Sequence, residues 1–324
     1  VLFRSTLPSG RSAEARASRL AAVTTWDASV ASYASYELGE GPLWNPDRGI
    51  LLWVDILGGR VHIGGIDDGG GVHEHASFSL AQAPATLGAV AAPAFLDHER
   101  GTLVAAHDRL VYVDVDGGEH VVAVLCEGEP RRLNDGVTDP AGRYLVGSAP
   151  TGDRTFSERL WLVDHDGTVT VLDDDLGLSN GLAFSADGGT LYSVDTFSHV
   201  ARARPYDAAT GTVGERSDFV RVDDGYPDGI AVDADGHLWV AVFGQGEVRR
   251  FAPDGTLVDV VRTPRAPQAT NLCFAGPDRR TLVITTARED MTDQDVAEHP
   301  ESGRLFTTRV DVPGLPARPW RGTT

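Results

Sequence analysis

Residues 225–251 read GYPDGIAVDADGHLWVAVFGQGEVRRF, and the pattern in this stretch decides the fold. A short apolar run over 229–232 meets an Asp-Gly turn at Asp235 and Gly236, and a second run follows over 237–242. After Gly244-Gln245-Gly246 comes a third run, then a turn at Asp254 and Gly255 and a fourth run over 256–262. β-Branched and aromatic residues in short runs broken by Asp-Gly pairs fit strands joined by hairpins. The stretch predicts a four-stranded antiparallel sheet, with one acid, Asp228, just before its first strand.

The same unit recurs along the chain. Counterparts of the run after Gly229 follow Gly41, Gly88, Gly136 and Gly181, and a sixth begins at Asn271. Successive starts are about 45 residues apart, the length of a four-stranded propeller blade. One such sheet cannot cover both its faces, whereas six packed radially can. The expected fold is all-β, a six-bladed β-propeller of four-stranded antiparallel blades. A doubly wound α/β fold would need amphipathic helices between strands; only 12–22 and 288–299 look helical, and neither lies between paired strands. Residues 1–31 read as a poorly ordered leader or a gene-calling artefact, 32–316 as the propeller and 317–324 as a tail.

Composition narrows the function. A chain of 324 residues buries about three quarters of its unfolded surface and needs no covalent staples. With 28 basic against 47 acidic residues the net charge is -19, which argues against nucleic acid or an anionic membrane as partner. No apolar run approaches the roughly 20 residues that span a bilayer. Cys126 and Cys273 are far apart and form no CxxC pair, so they read as free thiols of a reducing, cytoplasmic compartment. The expected assembly is a monomer or small homo-oligomer.

In a propeller the first strand of each blade lines the central channel, so equivalent residues at its start ring one axis. The residue before each first strand is Glu40, Leu87, Asp135, Asn180 and Asp228, with Asn271 opening the last blade. Asp and Asn before Gly are ordinary turn formers, but Glu is not. Carboxylates converging on an axis repel unless protonated or neutralised by a cation. Oxygen donors without His or Cys favour a hard divalent ion such as Ca²⁺, Mg²⁺ or Mn²⁺, with Zn²⁺ and Fe²⁺ also compatible.

Several motifs carry a wider resemblance: LGEGPLW at 38–44, RLNDG at 132–136 with DPAGR at 139–143, SNGLAFS at 179–185, PDG at 227–229, and GRLF at 303–306 with Pro313-Gly314. Together they resemble the SMP-30/gluconolactonase/regucalcin-like family over roughly residues 33–314. The resemblance implies a six-bladed propeller with one divalent metal ion near the top of its channel, held by Glu40, Asn180 and Asp228. It also implies Arg132 and Asn134 as substrate contacts, Asp228 as the acid/base, and Asp135 as a nearby acid. Where some sugar lactonases carry a further acidic contact, this chain offers Asp153.

The implied reaction is hydrolysis of a small-molecule sugar lactone to the aldonic acid, with the metal polarising the carbonyl and activating water. Alternatives are a calcium-binding regulator without turnover, a related metal-dependent esterase or phosphotriesterase, or a propeller interaction scaffold. The DxDG strings at 114–117, 164–167 and 233–236 lack the remaining ligands of a calcium-binding loop and read as hairpin turns. Trp44, Trp53, Trp161 and Trp239 fall on expected strands and read as packing between blades. His199 reads as an exposed residue near the channel mouth.

Overall fold

A computed structural model of the chain describes residues 23–81, 90–95 and 101–322. Leu87, Gly88 and the 12–22 segment lie outside the described residues. Among those described, six antiparallel sheets follow one another in chain order as the blades of a six-bladed β-propeller. The opening stretch forms the fifth, with strands Tyr226–Val232, Leu238–Phe243, Glu247–Phe251 and Leu257–Arg262. First strands of neighbouring blades lie side by side around the axis: Gly39–Asn45 touches both Ala269–Ala275 and Val90–Phe95, and Ser179–Phe184 touches Tyr226–Val232.

The punctuation works as hairpin chemistry. Gly117, Gly167 and Gly236 take positive φ of 83, 84 and 80°, which glycine adopts without steric cost. Asp114 Oδ1 accepts from Asp116 N at 2.9 Å and Gly118 N at 2.7 Å, so these acids close turns rather than hold ions. Trp53, Trp161 and Trp239 are buried, and Trp239 meets Phe274 of the sixth blade edge-on at 5.6 Å. Each sheet thereby buries its faces against its neighbours.

Two boundaries differ from the sequence reading. Thr24–Asp27 pairs in parallel with Leu257–Arg262 of the fifth blade, and Ser29–Val30 pairs with Phe306–Arg309 of the sixth. These residues, read as leader, are strands, because their partners lie more than 200 residues away and leave no local signal. At the other end, Trp320 is buried against the second blade, 6.5 Å from Tyr112, and Arg321 N donates to Gly142 O at 2.8 Å. The segment read as a tail is therefore docked. Of 288–299, only Asp293–Glu298 is helical, capped by Thr292.

Candidate active site in the axial channel

The innermost strand of every blade slips register, and in five of the six the slip falls at the channel residue. The shifts fall between Glu40 and Leu43, Val90 and Pro93, Leu133 and Gly136, Asn180 and Leu182, Pro227 and Ile230, and Ala269 and Asn271. A bulge bends the strand and re-aims a side chain. Asp228 thus sits inside its strand at a bulge, not ahead of it as the sequence suggested. The glycines that follow Asp135, Asn180 and Asp228 have a packing reason too. A Cβ on Gly181 would lie 2.3 Å from Asp228 O, so the backbones of the fourth and fifth blades approach closer than any side chain allows.

Glu40, Arg132, Asn134, Asn180 and Asp228 line one cavity of about 350 Å³. Asp153 and Arg154 are both exposed; Asp153 lies outside that lining and Arg154 is within it. Asp135 lines a second, smaller space further along the channel, of about 150 Å³, together with Asn271 and the C-terminal residues 315–318. His199 is half-buried rather than exposed, with its Nδ1 2.8 Å from Gly225 O.

The side chains are fixed from neighbouring blades. Glu40 Oε2 accepts from Gly41 N at 2.8 Å and from Asn271 Nδ2 at 2.9 Å. Asn180 Nδ2 donates to Thr196 Oγ1 at 3.2 Å, and that hydroxyl donates to Pro227 O at 2.8 Å, beside Asp228. Asn180 Oδ1 accepts from Gly181 N at 3.2 Å. Arg132 Nη1 donates to Asn134 Oδ1 at 2.6 Å, and Asn134 Nδ2 to Ser179 O at 3.1 Å. Asn134 thus uses both ends of its amide to hold Arg132 and the fourth blade. Asp228 Oδ1 is buried with no hydrogen-bond partner among the described residues.

Electrostatics single out the same groups. Burial, then repulsion from Asp135, pushes the Glu40 carboxyl up to about 8. Burial pushes Asp135 up to about 6. Asp228 is held well above the usual carboxylate range by burial and by the charges of Glu40 and Asp135. Arg132 is pulled down by burial while Glu289, Glu40 and Asp228 hold its charge.

These residues fit a hard cation. Two buried carboxyls and an amide oxygen face one space, one carboxylate oxygen is orphaned, and each charge raises the other's cost. Among the described residues no three His, Cys, Asp or Glu side chains gather at ligand spacing, and a cation here would have to draw on the Asn180 amide oxygen beside the two carboxyls. Both cysteines are free, and burial pushes the Cys126 thiol up to about 12 and raises Cys273 as well, which disfavours the thiolate form.

The sequence reading missed Thr196, Gln268, Glu289 and Arg154 as cavity residues. Only Glu289, an acid in the long loop of the last blade, carried a signal that could have marked it.

A family model described as SMP-30/gluconolactonase/LRE-like region matches residues 38–288. The chain belongs to this family. Among members of the SMP-30/gluconolactonase family, a 6-deoxy-6-sulfogluconolactonase of Pseudomonas putida is 38% identical over 283 residues, covering 86% of this chain and 92% of its own. A pentonolactonase of Haloferax volcanii is 35% identical over 289 residues, covering 87% and 94%. The crystal structure of a calcium-binding protein, regucalcin, from Agrobacterium tumefaciens superposes with a TM-score of 0.83 at 30% identity, over 93% of this chain and 100% of that one.

Proposed function

We propose that this chain hydrolyses a sugar lactone to the open aldonic acid in the cavity lined by Glu40, Asn180 and Asp228, with a divalent cation held by those three. The observation that carries the reading is the orphaned Oδ1 of Asp228, buried beside a second raised carboxyl. Two lactonases among the relatives support the substrate class. When bound, the cation supplies Lewis-acid polarisation of the lactone carbonyl and neutralises the paired carboxylates.

The chain's own groups do the rest. Arg132, fixed by Asn134, offers its remaining N–H groups to substrate hydroxyls or to the developing oxyanion. Asp228 takes a proton from the attacking water and returns it to the ring oxygen as the C–O bond breaks. Thr196 and Asn271 position Asn180 and Glu40, and touch no reacting atom in this scheme.

Asp228→Ala should remove lactone hydrolysis in a pH-indicator assay by roughly 10²- to 10⁴-fold while the protein stays folded. Near-normal turnover by the folded, ion-loaded variant would overturn the assignment. A second reading, a calcium-binding protein without turnover, draws on the same oxygen donors and on the calcium-binding Agrobacterium relative. It predicts Ca²⁺ binding with no lactone opened by Mg²⁺-, Mn²⁺-, Ca²⁺-, Zn²⁺- or Fe²⁺-loaded protein.

A further inference from the structure

One of the two arginines on the cavity wall has no task in this scheme. Arg154 lines the cavity with its guanidinium carbon 3.7 Å from the centroid of the Phe197 ring. Most arginines here are tied to acids: Arg204 to Asp173 at 2.7 Å, Arg249 to Asp224 at 2.7 Å, Arg250 to Asp233 at 2.8 Å. Among the described residues Arg154 has only its stacking contact, in a chain with 47 acidic residues.

The loop that carries it is anchored. Thr151 N donates to Pro130 O at 3.0 Å, and Arg131 Nη1 to Ser157 O at 2.7 Å. Phe156 and Phe197 both close over Gly177, where a Cβ would meet each ring system's residue at 2.8 Å. Arg154 is thus an exposed residue whose guanidinium stacks on an aromatic ring at the edge of the cavity, an arrangement that restricts the side chain before an oxyanion docks and so lowers the ordering cost.

The opposite wall has the reverse character. Gln268 Oε1 is buried with no partner, and Gln268 Nε2 donates to Glu289 O at 2.9 Å. Glu289 and Asp290 line that side. An orphan acceptor and two carboxylates suit hydroxyl donors and repel an anion. With a net charge of -19 the protein as a whole also repels anions, so one that binds needs a dedicated cation.

We propose that Arg154 binds an oxyanion on the substrate, so that the lactone opened here carries a carboxylate, phosphate or sulfonate on the carbon chain remote from its carbonyl. This rests on the lactonase reading above. Arg154 is then a specificity residue: it fixes the charged end while Gln268 and Glu289 take hydroxyls and the lactone carbonyl lies towards Glu40, Asn180 and Asp228.

The test measures kcat/KM of the ion-loaded protein on glucono-1,5-lactone, its 6-phosphate and a glucarolactone, for wild type and Arg154→Gln. The ratio of charged to neutral substrate should fall roughly 10- to 100-fold in the variant, mainly through KM, and the larger fall would show which of phosphate and carboxylate Arg154 favours. An unchanged ratio overturns the proposal and leaves the lactonase reading standing. If wild type opens neither class, the lactonase reading falls. Calorimetric binding of 6-phosphogluconate then decides the anion site separately: binding weakened by Arg154→Gln supports it, and absent or unchanged binding overturns it.

Discussion

Glu40 Oε2 accepts a hydrogen bond from Asn271 Nδ2 at 2.9 Å, between residues 231 positions apart. It joins the first strand of the first blade to the first strand of the last, and it fixes one carboxyl of the candidate ion site. Removing a donor to a buried carboxyl costs about 1.5–3 kcal/mol. Asn271→Ala should lower stability by that amount in chemical denaturation and weaken divalent-ion binding in calorimetry. Unchanged ion affinity would mean that Glu40 is no ligand or needs no positioning.

Acidity should shape the stability of the ion-free protein in an unusual direction. Glu40 at about 8 and Asp135 at about 6 lie above the ordinary carboxylate values of an unfolded chain. The folded state therefore holds protons that the unfolded state has released. Their contribution is complete below about pH 4 and is lost as pH rises through 6 and then 8. The Tm of chelator-treated protein should fall between about pH 5 and pH 8.5, and Glu40→Gln should flatten that slope. Added Ca²⁺ should raise Tm more at pH 8.5 than at pH 5. A slope indifferent to the substitution would remove Glu40 from the titrating cluster.

Gly181→Ala tests the close approach of the two blades that carry Asn180 and Asp228. The new methyl would press on Asp228 O, a backbone atom with no rotamer to yield. Overpacking of this kind costs about 1–3 kcal/mol. Turnover at 25 °C, where the protein remains folded, should drop further than the stability loss explains, because the bulge that aims Asp228 is displaced.

Trp320→Ala should cost about 3–5 kcal/mol, the usual result of emptying a buried Trp site, read as a fall in denaturation midpoint. A chain ending at residue 316 should behave alike. Equal stability in both would return the C-terminal segment to the status of a tail.

What could be read from the sequence was what repeats locally. Asp-Gly and Gly-rich turns need positive φ, so Gly117, Gly167 and Gly236 announced their hairpins. The recurrence of a glycine after Glu40, Asp135, Asn180 and Asp228 announced the ring of stations, and Glu40, Asn180 and Asp228 do share a cavity. What could not be read was set by distant partners. Thr24–Asp27 and Ser29–Val30 are strands only because sheet edges late in the chain accept them. Arg154, Gln268 and Thr196 enter the cavity through loop geometry and second-strand ends, where no period marks them. Asp153 and Arg154 show the limit most plainly, since one residue of loop register exchanges an acid for a base at the cavity wall.

The sixth sheet takes Ala269–Ala275, Thr281–Thr286 and Phe306–Arg309 from the end of the chain and Ser29–Val30 from its start. During synthesis from the N-terminus, that early segment therefore waits unpaired until nearly the whole chain has emerged. The ring is left open, with one blade edge uncovered, for most of translation. Long-range pairing of this kind is slow and exposes strand edges to other chains. The pairing that ties an early segment to a late strand in the finished molecule thus leaves the nascent one with a strand edge open to other chains.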